Sequence, residues 1–371
     1  MPRLHYLDNL RWISILLLFP VHAAVVFSAG WFGYYVTSDY TFPAALWIIV
    51  SIMPWLMPLL FCGAGMSTKF ALRKRTPAVY LKDRVTRLLV PFLAGLVLLC
   101  PVLAYYGLKS DASYTGSYGG AVVYFFSTLT SARDPTGFTG EFNFEHLWFI
   151  FYLFVISVVA LGVILLGKKQ TWFHFNPGRV SLPVLVLLFL PLWLMIALGP
   201  GESGYSLVAY FFMFLIGYYL FSQDSVQDLL EQYWSVLVAA WILLTVCMIV
   251  FSGEILSGNL TLIDVIASPF SPLTGWVGVL ALLGMGRHLM NTTIPLTAYL
   301  GAASYPVYIL HQPILVAVAW YVLLWAAPPA VQFVVIVVFS VLLTFACYEL
   351  LRRIPGVRVL FGIAGPGKKA V

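Results

Sequence analysis

Residues 10–29 of the chain read LRWISILLLFPVHAAVVFSA, a run in which Arg11 is the one formally charged side chain. An α-helix needs about 20 predominantly apolar residues to cross the hydrocarbon core of a bilayer. The run has that length, and it lacks the small-residue cleavage site of a secretory signal peptide. It therefore predicts a first membrane-spanning helix that is retained in the protein.

The rest of the chain has the same character. Of its 371 residues, 61% are apolar and 9% are charged, whereas a soluble domain carries about 25% charged residues. This composition excludes a soluble enzyme, a nucleic-acid-binding protein and a disordered protein. We therefore expect an all-α integral membrane protein in which 1–371 form a single membrane domain. No separate soluble domain is expected, and 354–371 are predicted to form a short cytoplasmic tail.

Apolar segments of membrane-spanning length predict about ten transmembrane helices. They lie at 10–29, 43–68, 87–107, 146–167, 181–198, 205–221, 232–251, 262–284, 297–325 and 328–351. A shorter aromatic stretch at 119–130 predicts an interfacial or re-entrant helix. Pro269 and Pro272 fall in the eighth segment, and Pro306 and Pro313 fall in the ninth. Since proline removes a backbone donor, we predict that helices 8 and 9 are broken around an internal cavity.

The distribution of lysine and arginine predicts the orientation. With the N-terminus in the cytoplasm, every basic residue except Lys109 and Arg133 falls in an inner loop or tail. The positive-inside rule therefore favours two cytoplasmic termini. It also explains the net charge of +6 without a polyanionic partner such as nucleic acid.

Helix 1 carries two polar side chains on one face. Arg11 and His22 are eleven residues apart, which is roughly 16 Å along a helix and about 20° past three full turns. Ionisable residues at membrane depth are costly and are functional candidates by default. The alternatives are that Arg11 is an anchor at the inner surface, paired with Asp8, and that His22 makes an interhelical hydrogen bond.

Two more histidines are expected at the same level of the membrane. His311 lies between the two prolines of helix 9, and His146 opens helix 4 beside Glu145. The shared level predicts that the three histidines line one cavity, with His146, Glu141 or Glu145 orienting the imidazole of His22 or binding a ligand from outside. Alternatively, His311 caps carbonyl groups that Pro313 leaves free, and His146 is an interfacial residue.

A second candidate site lies at the cytoplasmic end. Arg84 and Arg87 are neighbours on one helix face, and with Arg11 they could bind phosphate, which suits guanidinium geometry. The alternative is an anchor for lipid headgroups. Glu349 precedes Arg352 and Arg353, and it is expected to pair with the arginines of this site or to form a purely structural ion pair.

Other kinds of site have no support in the sequence. The chain contains no G-x-S-x-G elbow, P-loop, H-E-x-x-H or Cys-x-x-Cys motif. The four cysteines lie in or beside apolar runs without metal-site spacing. We therefore expect neither a metal ion nor a disulfide framework.

The string LDNLRWISILLLFPVHA at 7–23 resembles the first helix of the membrane acyltransferase-3 family. Further segments resemble the same family in the same order. They are LLFCGAGMSTKFALRKR with YLKDRVTRLLVP, then EHLWFIFYLF, then GAASYPVYILHQPIL, then ACYELLRRIPGVRVLFG. The resemblance covers 4–362, and the HLWF stretch and the last two segments are most similar to the glucans biosynthesis protein C branch.

The resemblance implies a function and a set of site residues. Members of this family take an acyl group from cytoplasmic acyl-CoA, here succinyl-CoA or acetyl-CoA, and place it on a sugar hydroxyl outside the membrane. His22 matches the essential histidine of the family, Arg11 its paired arginine, and Arg84 and Arg87 its R-x-x-R pair. The implied setting is the inner membrane of a bacterium, with an osmoregulated periplasmic glucan as one acceptor. The chain departs from the family at Cys62 or Gly63, where a serine is usual.

From the residues themselves, His22 is predicted to act as the general base, with or without an acyl-histidine intermediate. The arginines would hold the CoA phosphates. Aromatic residues of the outer loops, including Tyr34 and Tyr35, are expected in an interfacial belt rather than as stacking faces for a glycan. The partners expected are the glycan and the bilayer, and the oligomeric state is left open, with a homodimer as one option. The alternative function is a glycan flippase or proton-coupled transporter, which predicts acidic residues near the midplane. Asp264, near the outer end of helix 8, is the acidic residue that comes closest to that position.

Overall fold

The computed structural model describes residues 4–28, 33–134, 136–167, 180–197, 206–257 and 268–363. Over these ranges the chain is predominantly helical, and they contain no β-strand. The predicted all-α class is therefore confirmed. Asp264 lies outside the described residues, and so do Lys168, Lys169 and Arg179, which are among the basic residues assigned above to inner loops.

The helices are numbered α1 to α16 along the described residues. Their bounds are α1 His5–Val26, α2 Pro43–Lys74, α3 Pro77–Arg84, α4 Val90–Leu98, α5 Cys100–Ser110, α6 Tyr118–Ser127, α7 Trp148–Gly167, α8 Leu182–Leu187, α9 Phe189–Ala197, α10 Leu207–Ile216, α11 Asp224–Gln232, α12 Trp234–Leu256, α13 Phe270–Leu289, α14 Pro295–Leu323, α15 Pro329–Leu351 and α16 Val357–Leu360. A π-helical turn, Val85–Leu89, joins α3 to α4, and a second, Gly217–Phe221, extends α10.

Seven helical segments of the described residues are long and apolar enough to cross a membrane. They are His5–Val26, Pro43–Lys74, Pro77–Ser110, Glu145–Gly167, Trp234–Glu254, Pro295–Leu323 and Pro329–Leu351. An eighth results if Leu207–Phe221 and Asp224–Gln232, which meet at a bend of 94°, are one span. The chain is therefore an integral membrane protein with multiple spans.

Each of the ten predicted apolar segments coincides with at least part of a helix, but fewer than ten helices of membrane-spanning length lie within the described residues. The segment at 181–198 forms the short helices α8 and α9. The segment at 262–284 gives a described helix, α13, that begins at Phe270 and ends with Arg287, His288 and Leu289. Glycines and this basic end lower its hydropathy. The short helix predicted at 119–130 is confirmed as α6.

The prediction that prolines break helix 9 is wrong, whereas the break predicted in helix 8 borders residues outside the described ranges and stays a prediction. Pro269 precedes α13, and Pro272 lies in its first turn, where a proline removes no helical hydrogen bond. Pro306 and Pro313 lie inside α14, which continues through both without a break. Neighbouring side chains can satisfy a carbonyl group that proline leaves free, and a membrane helix then tolerates the proline.

The described residues form two compact units, the first drawn from 1–14, 50–84 and 152–298, and the second from 15–49, 85–151 and 299–371. The single membrane domain predicted for 1–371 stays a prediction.

In the first unit, α2 packs at glycines against α10 and the π-helical turn that extends it. A Cβ at Gly65 would overlap the carbonyl oxygen of Phe214, and a Cβ at Gly217 would overlap that of Cys62. Small residues at both contacts let the two backbones approach closely.

In the second unit, the loop between α6 and α7 is fixed by its own carboxylates. Glu141 accepts hydrogen bonds from the backbone N–H groups of Arg133 and Asp134, at 2.5 and 2.8 Å. Burial alone would raise the pKa of Asp134, but hydrogen bonds from Thr136 and Thr139 lower it below its usual value. The described part of this loop leads directly into the turn that carries His146.

Candidate active site

Three histidines that are distant in the sequence converge in the second unit. His22 lies in α1, His146 in the 3₁₀ turn Glu145–Leu147 before α7, and His311 in α14. The ring centroids of His22 and His311 are 5.3 Å apart, and those of His146 and His311 are 5.5 Å apart. The structure therefore brings the three predicted histidines together, and we call them the histidine cluster.

His311 occupies the middle of the cluster and is completely buried. Its Nδ1 donates to the carbonyl oxygen of Tyr308 at 2.5 Å. A carbonyl only accepts, so this bond places the ring proton on Nδ1 and leaves Nε2 with a free lone pair. Within the described part of the chain, Nε2 has no hydrogen-bond partner.

His146 is held against α14 from two sides. Its Nε2 donates to the carbonyl oxygen of Ile309 at 2.8 Å, and its own carbonyl oxygen accepts from the hydroxyl of Tyr308. The ring proton is thus on Nε2, and Nδ1 is buried without a partner among the described residues. Ile309 lies four residues before Pro313, so His146 satisfies the carbonyl that this proline leaves free. The sequence-based alternative gave this capping role to His311.

His22 differs from the other two members in its exposure. It is partly exposed, whereas His146 is 5% exposed and His311 is buried. Its ring stacks on that of Tyr34, with centroids 6.2 Å apart and an interplanar angle of 12°. His22 is therefore the member of the histidine cluster whose surface is not fully buried by the described residues.

Glu145 carries a strained backbone and a buried carboxylate. Its φ of 52° is in the left-handed region, which non-glycine residues seldom adopt and which is often found at functional sites. One carboxylate oxygen accepts from the hydroxyl of Tyr35, and the other, Oε1, has no partner among the described residues. A Cβ at Gly137 would lie 2.7 Å from Oε1, so this glycine leaves room for the carboxylate.

Aromatic rings connect Glu145 to the histidine cluster. Tyr34, Tyr35 and Phe138 contact one another with centroid distances of 4.9 to 5.5 Å. Tyr34 is 8% exposed and Tyr35 is 1% exposed. The prediction that these two tyrosines belong to an interfacial belt is therefore wrong, because they pack inside the second unit around Glu145 and His22.

Sequence reasoning missed the tyrosines that order the site. Tyr308 contributes its hydroxyl to His146 and its carbonyl to His311. Its position three residues before His311 was a usable signal, because residues at this spacing share a helix face. The contact of Tyr35 with Glu145 joins residues 110 positions apart, and no local pattern reveals it.

The basic residues of the predicted phosphate site are distributed over both units. In the first unit, Arg11 pairs with Asp8 at 2.7 Å, as the sequence predicted, and the side chain of Arg11 is 44% exposed. The guanidinium carbon of Arg84 lies 4.8 Å from the ring centroid of Tyr80. The Nε of Arg84 is buried without a partner among the described residues. In the second unit, Arg87 is exposed. A phosphate site formed by these arginines stays a prediction.

Glu349 has local partners in the second unit. It pairs with Arg352 at 2.8 Å, lies 3.8 Å from Arg353, and accepts from the hydroxyl of Tyr299 at 2.8 Å. Of the two interpretations of Glu349, these contacts favour the structural ion pair. Among the described residues, no group of three or more His, Cys, Asp or Glu side chains is arranged to hold a metal ion.

Comparison with known proteins gives one family. No curated protein and no solved structure matches the chain significantly. A family model described as an acyltransferase domain, that of the acyltransferase-3 family, matches residues 4–349, nearly the whole chain. This match does not distinguish the glucans biosynthesis protein C branch from other branches of the family. The chain therefore belongs to the acyltransferase-3 family and is a membrane acyltransferase.

Proposed function

We propose that this protein transfers a succinyl or acetyl group from cytoplasmic acyl-CoA to a hydroxyl of an extracytoplasmic glycan, with His22 as the general base. The observation that carries the proposal is the difference within the histidine cluster. His146 and His311 are buried and bonded to helix carbonyls, whereas His22 is partly exposed beside them.

The proposed reaction conserves protons and the acyl group. His22, in its neutral form, takes the proton of the acceptor hydroxyl as the hydroxyl oxygen attacks the thioester carbonyl. The C–S bond then breaks, the acyl group remains on the sugar oxygen as an ester, and the proton returns to the CoA sulfur. A positioned base contributes typically ~10²–10⁴-fold to such a step. An acyl-histidine intermediate would divide it into two transfers.

His311 is proposed as a positioning residue for His22. Its Nε2 presents a lone pair in the middle of the cluster. If a ring N–H of His22 donates to this lone pair, the other ring nitrogen of His22 carries no proton and can act as the base. The third group of a catalytic triad orients its histidine in the same way. His146 and Glu145 are proposed to shape the acceptor side, since each has one unpartnered buried polar atom among the described residues.

The donor site is proposed on chemical grounds. Guanidinium groups bind phosphate with paired hydrogen bonds, so Arg11, Arg84 and Arg87 are proposed to bind CoA phosphates from the cytoplasmic side. Glu349 is proposed to hold Arg352 in place rather than to contact CoA. The protein is proposed to act in the inner membrane of a bacterium, where an osmoregulated periplasmic glucan is a candidate acceptor.

The test is acyl transfer by the purified protein in lipid vesicles. Acyl-labelled succinyl-CoA or acetyl-CoA is supplied with a glucan oligosaccharide, and free CoA thiol and labelled glycan are measured. We expect glycan-dependent release of CoA and label that is covalently attached and removed by mild base. A flippase or transporter would leave the thioester intact while moving the glycan, and that result would contradict the proposal.

A further inference from the structure

A groove of about 410 Å³ lies in the second unit, away from the histidine cluster. One wall is the connection between α14 and α15, which contributes Trp325 and Pro328, and the other is Thr37 to Tyr40, which follows α1. Gln332, in the first turn of α15, also lines it. Its volume falls in the range of small-ligand sites, about 300–1,000 Å³.

The lining combines flat aromatic faces with hydrogen-bonding groups. Tyr40 is 68% exposed and Trp325 is 52% exposed. Asp39 and Thr37 are exposed and line the groove beside Tyr40, so a carboxylate-bearing and a hydroxyl-bearing residue belong to this wall. A sugar ring presents an apolar C–H face to an aromatic ring and hydroxyl groups to a carboxylate or hydroxyl, so this set of side chains suits a carbohydrate.

Hydrogen bonds to backbone carbonyl groups fix both walls of the groove. The carbonyl oxygen of Trp325 accepts from the N–H of Ala327 at 2.9 Å and from Nε2 of Gln332 at 3.0 Å. On the other wall, the N–H of Ser38 donates to the carbonyl oxygen of Val26 at 2.8 Å. The groove is therefore formed before any ligand binds, which reduces the entropy lost on binding.

The position of the groove relates it to the histidine cluster. Tyr34 stacks on His22, and Tyr40 follows Tyr34 by six residues, which extended chain spans in at most about 20 Å. A chain of a few sugar units covers such a distance. The groove also lies at the N-terminal end of α15, whereas Arg352 and Arg353 follow its C-terminal end. Because the positive-inside rule places the arginines on the cytoplasmic side, the groove is on the extracytoplasmic side.

We propose that this groove is a subsite for an oligosaccharide acceptor and binds sugar units remote from the one that is acylated. The inference rests on the proposed function for its biological meaning, but the binding itself does not depend on acyl transfer. The competing explanation is that Tyr40 and Trp325 belong to an interfacial aromatic belt. The carboxylate, the hydroxyl and the concave shape favour the subsite, because a belt needs none of them.

The experiment compares acceptor lengths. Trp325→Ala and Tyr40→Ala are made in the full chain, reconstituted in vesicles, and assayed with methyl glucoside and with a glucan oligosaccharide of about six units. A lost stacking contact raises KM about three- to tenfold. We expect that increase for the long acceptor alone, with kcat and the KM for acyl-CoA unchanged. Trp47→Ala is the matched control, because Trp47 is 43% exposed in the same unit but outside the groove.

A binding assay separates this inference from the proposed function. Oligosaccharide binding to the full chain without acyl-CoA is followed by tryptophan fluorescence in the wild type and in Tyr40→Ala. If binding weakens in Tyr40→Ala but no acyl transfer is found in any protein, the subsite stands and the proposed function fails. If the groove variants match Trp47→Ala, or affect both acceptor lengths equally, the subsite is overturned and the belt explanation holds.

Discussion

Nε2 of His146 donates a hydrogen bond to the carbonyl oxygen of Ile309 at 2.8 Å, and Ile309 is the residue whose helical donor Pro313 removes. The proline thus creates an acceptor inside the membrane-spanning helix α14, and a histidine from another part of the chain satisfies it. This arrangement fixes the ring of His146 5.5 Å from that of His311. Pro313 therefore helps to position His146, although it does not break α14.

The first prediction concerns this pair. His146→Ala removes the donor to Ile309 and leaves a buried carbonyl unsatisfied, which costs about 1–3 kcal/mol. In a Pro313→Ala background, the introduced alanine supplies a helical N–H to the same carbonyl, so His146→Ala should cost much less there. Thermal unfolding of the four proteins in detergent measures this coupling.

Acyl transfer by the same four proteins separates the two roles of His146. If His146 also acts on the acceptor side, Pro313→Ala restores stability to His146→Ala but does not restore activity. Equal destabilisation by His146→Ala in both backgrounds would show that the hydrogen bond to Ile309 does not contribute to the stability of the protein.

The second prediction concerns the backbone of Glu145. Both Glu145→Ala and Glu145→Gly remove the carboxylate, but glycine adopts a φ of 52° freely whereas alanine does not. We expect Glu145→Gly to unfold at the higher temperature, with a difference of about 1 kcal/mol. Both variants should lose the same share of transferase activity. Equal stability would mean that the backbone at this position is not strained.

The sequence was sufficient for much of the fold. Apolar segments such as 10–29 and 328–351 coincide with α1 and α15, because a helix is the structure that satisfies every backbone group within a single membrane-spanning segment. The same reasoning put His22, His146 and His311 at one membrane level, and the structure brings them together. Charge spacing also correctly predicted the pair of Arg11 with Asp8.

The sequence was insufficient where contacts join distant segments. It did not reveal that Tyr35 reaches Glu145, or that His146 rather than His311 satisfies Ile309, because both contacts depend on helix packing. It also overestimated the effect of Pro313. Composition alone cannot distinguish an aromatic belt from buried aromatic packing, and Tyr35 was misassigned for that reason.

The third prediction concerns helix packing in the first unit. Gly65→Ala places a Cβ against the backbone of Phe214 and Tyr218, where no side chain can move aside. We expect Gly65→Ala to lower the yield of folded protein strongly. Gly63→Ala is the matched control on the same helix, because no atom lies within 4 Å of its added Cβ. Size-exclusion profiles and melting temperatures measure the outcome. Similar profiles for the two variants would contradict the close approach of these helices.

The central claim is that His22 is the base of the transfer reaction, and turnover by His22→Ala tests it most directly. Wild-type protein, His22→Ala and His22→Gln are reconstituted in vesicles with labelled acyl-CoA and a glucan oligosaccharide, after matched melting temperatures show that each is folded. We predict that both variants transfer label ~10²–10⁴-fold more slowly than the wild type while still binding acyl-CoA. Transfer at the wild-type rate by folded His22→Ala would contradict the account.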